Sequence, residues 1–243
     1  MTLNETHYQF FLSCNRTLQA EVGSIPRDWF MCITSSYEKV DIEQLANKRL
    51  ARDELHHMCQ LNSGVDTLYC CISILAWGGM NRNHGRDLLP FKNDWLHILE
   101  DLRHSKITSY EAYTRLAGLR NASKLKGMGP AYFTKLIYFL QQNPPELGFI
   151  MDQWTAGSVN LLYGRSVVET KMTNYVINGR HISYESVTDK NTVKNYQDFC
   201  ERILDLSKRS NIDPSKVEEM LFSEGRNKGE WRNYVKSERK TIS

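Results

Sequence analysis

Lys135 and Asp152 are the side chains of this sequence best suited to chemistry. Lys135 interrupts the apolar run PAYFTKLIYFL, and Asp152 follows seventeen residues later in GFIMDQWTA. A primary amine attacks an electrophilic carbon only when neutral, and apolar neighbours such as Tyr132, Leu136 and Phe139 disfavour an ammonium form. A carboxylate stabilises a developing positive charge or takes up the proton of an amine. The pair suits attack on an anomeric carbon, and a lysine Schiff base then permits β-elimination. Asp152 also reads as the N-cap of a helix over 153–163. The two roles are compatible, because a capping carboxylate is held rigidly.

The elements that aim these groups are written just upstream. Gly127 and Gly129 flank Met128, and Pro130 follows at the favoured first position of a helix. Glycines allow a tight turn that approaches a partner closely. The N–H groups from Gly129 onward point out at the positive end of that helix, which suits a phosphate, and Lys124 and Lys126 add charge there. With one short helical turn expected at 122–125, the local pattern is helix, glycine hairpin, helix. A plain interhelical turn with surface lysines is the alternative.

LKGMGPAYFTK followed by IMDQW resembles the helix-hairpin-helix (HhH-GPD) DNA glycosylase superfamily, most closely the 8-oxoguanine DNA glycosylase branch in its small archaeal and bacterial form. The match spans 32 residues, 125–156, and VEEMLFS at 217–223 resembles the C-terminal helix that contacts the flipped base. The resemblance implies a mainly α fold of two helical subdomains with a catalytic groove between them. It also implies double-stranded DNA as partner and excision of a modified base. Too few residues precede the hairpin for the large N-terminal β-domain of the eukaryotic enzymes. The family's lysine normally follows the second hairpin glycine by two residues, where this chain carries Ala131. Residues i and i+4 share a helix face, so Lys135 can serve the same groove from one turn further along. The alternatives are a monofunctional enzyme using water, with Lys135 a DNA contact, and a lysine without a role.

The resemblance also requires that the target base leave the stack. Residues 77–86 form the candidate loop for filling the vacated space, with Asn81 and Asn83 as wedges and Arg82 and Arg86 for phosphates or the estranged base; an ordinary polar loop is the bland reading. Phe222 is expected to stack on the base, and Glu218, Tyr132 and Trp154 to complete its pocket. An ionised glutamate only accepts hydrogen bonds, whereas the family commonly has glutamine there; Glu218 suits a base presenting N–H donors, such as an exocyclic amine. Two substrate classes follow: oxidised guanine, in base excision repair, and a hypermodified base such as a modified cytosine of phage DNA, in anti-phage defence. A helix-hairpin-helix DNA-binding module that has lost catalysis and a helical protein-interaction domain are the non-enzyme readings.

The chain has 243 residues, 41% of them hydrophobic, enough for one large domain or two tightly packed subdomains. Net charge is only +3, but residues 80–140 hold ten Lys and Arg against five Asp and Glu, and residues 207–243 nine against six. A locally basic strip fits nucleic acid, although a solvated charged face gives the same count. The cysteines at 14, 32, 59, 70, 71 and 200 lack CxxC spacing, which argues against zinc and a secreted disulfide scaffold. With only Cys200 beyond the hairpin, the iron–sulfur cluster of adenine glycosylases and endonuclease III is not expected, nor is any other cofactor or metal. Adjacent Cys70 and Cys71 read as packing residues, and His56-His57 as a solvated helix surface. No apolar run approaches the ~20 residues of a membrane span and the N-terminus lacks signal-peptide character. A cytoplasmic monomer, associated with the nucleoid when bound to DNA, is therefore expected.

Apolar spacing predicts helices over 4–20, 42–60, 65–76, 93–104, 109–119, 153–163, 193–209 and 214–222. Thr108 and Glu111 form a capping box, and the prolines at 144 and 145 end the hairpin helix. Asn178-Gly179 between β-rich runs signals a β-hairpin over 171–187 with a type I′ turn, a candidate rim of the groove. The expected division is a middle subdomain, 63–143, closed against one built from 1–62 and 144–243.

Overall fold

The computed structural model describes residues 2–14, 23–33, 40–142, 147–177, 180–222 and 229–238, side chains of 177 and 180–182 excepted. It is mainly helical, with one two-stranded antiparallel sheet among the described residues. In chain order the elements are α1 (Glu5–Ser13), α2 (Pro26–Met31), α3 (Arg52–Cys59), α4 (Thr67–Trp77), α5 (Arg82–Leu88), α6 (Lys92–Arg103), α7 (Ser109–Asn121), α8 (Pro130–Leu140), α9 (Gln153–Tyr163), β1 (Thr170–Ile177), β2 (Arg180–Val187), α10 (Val193–Ser210), α11 (Pro214–Phe222) and α12 (Glu230–Glu238). They fall into a middle unit, Gln19–Phe149, and a terminal unit, Met1–Leu18 with Ile150–Ser243.

In the middle unit α4 and α8 are apolar on nearly every face, as helices surrounded by protein must be. Tyr69 to Trp77 of α4 and Phe133 to Leu140 of α8 are buried throughout. α2, α3, α6 and α7 cover them. Aromatic edges interlock between helices: Trp77 on Phe139 at 5.0 Å and Tyr113 on Phe133 at 5.1 Å. Cys70 and Cys71 are fully buried packing residues. The Thr108–Glu111 capping box forms and starts α7.

Residues 19–62 group with this unit. Buried polar anchors hold them there. The Trp29 indole donates to Met80 O at 2.7 Å, and buried Arg103 donates to Cys59 O and Gln60 O, each at 2.9 Å. The expected helix over 42–60 is broken. Asp41 caps a single 3₁₀ turn, Ile42–Gln44, and α3 starts only where Glu54 reaches back to the Ala51 N–H. Leu45 and Leu50 fill the core from the connection between them. His57 is exposed as expected, but His56 is half-buried. Its ring packs against Tyr138 at 4.8 Å and Phe139 at 4.7 Å.

The terminal unit is arranged around α9, against which α1, α10, α11 and α12 pack. Ser158 fastens three helices: it donates to Leu221 O and accepts from the Trp231 indole, both at 2.9 Å and fully buried. β1 and β2 pair from Thr170↔Val187 to Ile177↔Arg180. The expected turn residues Asn178 and Gly179 lie outside the described residues, as do 15–20 of the expected first helix and the prolines after α8.

Candidate functional site

The hairpin is built as its glycines allow. α7 runs on to Asn121, so the upstream element is this helix, and 122–125 form a turn with Ser123 at φ 60° instead of a helical turn of their own. Gly127 adopts φ +73°, a region open to glycine at no steric cost. A Cβ there would lie 2.6 Å from His84 Cβ and 2.8 Å from His84 Cα. Gly129 is extended and caps α8, its carbonyl accepting from Tyr132 and Phe133. Lys124 and Lys126 are exposed beside the turn.

The close approach of Gly127 to His84 joins the hairpin to the segment expected to be a DNA-contacting loop. Only Gly78 to Asn81 are irregular there. Asn81 caps a helix by accepting from the Asn83 N–H at 2.8 Å, so Arg82 onward is α5. Gly85 lets α5 sit on Trp29 and Ile33, where a Cβ would be 2.9 Å from each. Asn81, Arg82, Asn83 and Arg86 are exposed. Arg86 is held in place, donating to Asn83 Oδ1 at 2.7 Å and Cys32 O at 2.8 Å.

Lys135 is buried in the same unit, with 7% of its surface exposed. Its stem runs back along α8, and Nζ donates to Ala131 O at 2.8 Å, one turn nearer the hairpin. Nζ lies 5.7 Å from the centre of the Tyr132 ring. Gly78 makes room for the stem; a Cβ there would be 2.9 Å from Lys135 Cδ.

Asp152 begins α9 in the terminal unit. Its Oδ1 accepts from the N–H groups of Trp154 at 2.9 Å and Thr155 at 3.3 Å. Thr155 Oγ1 accepts from the Asp152 N–H and donates to Ile150 O at 2.7 Å, completing the cap. In this unit Glu218 is fully buried and Phe222 half-buried. The guanidinium of Arg232 stacks 4.1 Å from the Trp154 ring centre and 5.0 Å from that of Phe222, and donates to Phe222 O at 2.7 Å. Lys236 Nζ lies 5.2 Å from the Trp154 ring. Of the four expected pocket residues, Trp154 and Phe222 are therefore joined through Arg232, while Tyr132 belongs to the middle unit beside Lys135. Arg232, Lys236 and the glycine at 78 carried no spacing signal. Their places depend on the packing of α12 and on the end of α4.

A hairpin facing a basic segment, a buried lysine in the hairpin helix and a capped aspartate at the start of the next helix are thus in place. The family model OGG, "Putative 8-oxoguanine DNA glycosylase OGG-like protein", matches residues 15–222. The chain belongs to this OGG-like family. No curated protein and no solved structure matches it. The OGG-like match covers both units and every candidate residue named above except Arg232 and Lys236. DNA is the partner of a glycosylase of this kind, and no described helix is long and apolar enough to cross a membrane.

Proposed function

We propose that this protein is a DNA glycosylase that excises a modified base through a Schiff base on Lys135, with Asp152 as its electrostatic partner. The placement of Lys135 carries the reading. A buried lysine on α8 brings its Nζ back to Ala131 O, to the turn where the resemblance placed the family's lysine. In the reaction, neutral Nζ bonds to C1′ as the glycosidic bond breaks. The base leaves with the bonding electrons and is protonated. Asp152 offsets the positive charge that develops on the sugar, and the amine then gives up its proton. Opening of the sugar ring leaves an iminium, and loss of a C2′ proton expels the 3′ phosphate. Lys135 and Asp152 belong to different units, and the reading requires both to act on one nucleotide.

Oxidised guanine is the proposed substrate. It presents N1–H, N7–H and an exocyclic amine, all donors to a carboxylate such as Glu218, and it is the base named by the family. Exposed Lys124, Lys126, Arg82, Asn81 and Asn83 are the proposed DNA contacts.

Borohydride trapping tests the proposal on labelled duplexes containing 8-oxoguanine, uracil, an abasic site, or plain or glucosylated hydroxymethylcytosine. Wild type should be trapped on the 8-oxoguanine duplex and Lys135→Gln should not, while still binding. Full trapping by Lys135→Gln would sink the lysine assignment. Base release without trapping would mean a water-using enzyme centred on Asp152. Trapping confined to a modified cytosine would move the substrate to phage DNA, and binding without either product would leave a silent DNA-binding module.

A further inference from the structure

The β1–β2 ribbon is clamped at its root, and its residues 171–176, 183 and 184 are exposed. Buried Asn191 accepts from the Glu169 N–H at 2.8 Å and donates to Glu169 O at 2.8 Å and Thr188 O at 2.9 Å. Asn160 of α9 accepts from the N–H groups of Val167 and Val168 and donates to Val168 O. With its amide nitrogen turned to β2, Gln153 donates to Glu185 O at 2.6 Å. The ribbon is therefore fixed to the same first turn of α9 that Asp152 caps.

Alternation along the strands sorts its side chains by charge. Lys171, Thr173 and Tyr175 share one face with Tyr184, which pairs with Thr173. Tyr175 and Tyr184 are diagonal neighbours across the ribbon, a spacing within reach of aromatic rings. They are 41% and 48% exposed, and Lys171 is exposed as well. Glu185, the one acidic residue of the two strands, points to the other face and is 9% exposed. Two bare aromatic rings beside a lysine, on a face free of carboxylates among the described residues, match a nucleic-acid strand, whose bases stack and whose phosphates are anionic.

We propose that this face is a DNA contact, where Tyr175 and Tyr184 stack on nucleotides flanking the one that is excised and Lys171 meets a phosphate. It rests on the glycosylase reading, because the nearness of Asp152 is what ties the face to the target nucleotide. Partial burial pushes the Tyr184 hydroxyl up, and the charges of Asp152 and Tyr175 add to the effect.

The test uses full-length protein and a duplex carrying a tetrahydrofuran abasic analogue with 5-iodouracil beside it. Irradiation should crosslink a peptide containing Tyr175 or Tyr184. Tyr175→Ala with Tyr184→Ala should weaken binding roughly tenfold or more, and the paired Phe variants should restore it. Lys171→Ala should lower the slope of log K against log salt by about one. The residues are exposed, so thermal unfolding of all variants should match wild type. Crosslinks elsewhere, or alanine variants that bind like wild type, overturn the proposal. So does a mass that rises with concentration in wild type and not in the alanine variants, which would assign the face to a second copy of the chain. Wild type that binds and crosslinks through the ribbon but releases no base from any of the base-containing duplexes used for trapping would overturn the catalytic reading alone. Wild type that binds no DNA would overturn both.

Discussion

A single carboxylate at Asp152 serves both as a helix cap and as the proposed charge partner, and one substitution separates the two. Asparagine caps a helix about as well as aspartate, so Asp152→Asn keeps an acceptor for the Trp154 and Thr155 N–H groups and removes only the charge. Its thermal stability should stay within about 1 kcal/mol of wild type, the size of a lost charge–dipole interaction. Base release in single-turnover assays should fall about 100-fold or more, as when one preorganised electrostatic group is lost. An Asn variant that releases base at the wild-type rate would reduce Asp152 to a cap. At Lys135 the sequence disclosed a lysine set within an apolar helix. It did not disclose that Gly78 clears a path for the stem or that Nζ returns to Ala131 O, because both depend on where α4 ends against α8. Arg232 was illegible for the same kind of reason. It lies far along the chain from Trp154 and Phe222, and only the packing of α12 brings it between them.

Among the elements, those with a strong apolar period and a cap were legible almost to the residue. α9 and α11 occupy the expected spans, and the Thr108 capping box starts α7. The failures share a cause: short segments whose structure is imposed by neighbours. α2 and α5 are too short to show a period, and α5 forms because Asn81 caps it and Gly85 seats it on Trp29 and Ile33. The periodic pattern across 42–60 joined a 3₁₀ turn to α3 through a connection whose leucines are also buried. The hairpin was legible in its residues and not in its partner, since nothing in the sequence puts Gly127 against His84. If this element grips the DNA backbone, its two exposed lysines act as counterion-releasing charges and not as base readers. Lys124→Ala with Lys126→Ala should therefore weaken duplex binding for every sequence alike and lower the slope of log K against log salt by about two, one per phosphate. A slope equal to wild type in titrations from low to moderate salt would remove the hairpin from the interface.

At the scale of the molecule, a modest net charge conceals two kinds of charged group, those placed for a partner and those enclosed by the fold. The exposed lysines and arginines around the hairpin are the proposed members of the first kind, and α3 shows the second. There Arg52 stacks on Tyr138 at 4.5 Å while its neighbour His56 is enclosed by Tyr138 and Phe139. Burial, assisted by the nearby Arg52 charge, pushes the His56 imidazole down to about 4. In the unfolded chain a histidine titrates near ~6.5. As pH falls from there, the unfolded state takes up a proton that the folded state refuses, so protonation favours unfolding. The stability carried by neutral His56 is complete above pH ~6.5, declines through the window down to about 4, and by then has cost on the order of 3 kcal/mol. His56→Phe keeps a ring between Tyr138 and Phe139 and has nothing to titrate. Urea unfolding at pH 7.5, 6 and 5 should show wild type losing stability faster than the variant, and the curves should run parallel above pH 7. Carboxylate titrations are common to both proteins, so the difference isolates the imidazole. An equal pH dependence in the two proteins would mean that the α3–α8 contact opens to water readily enough for His56 to charge in the folded state.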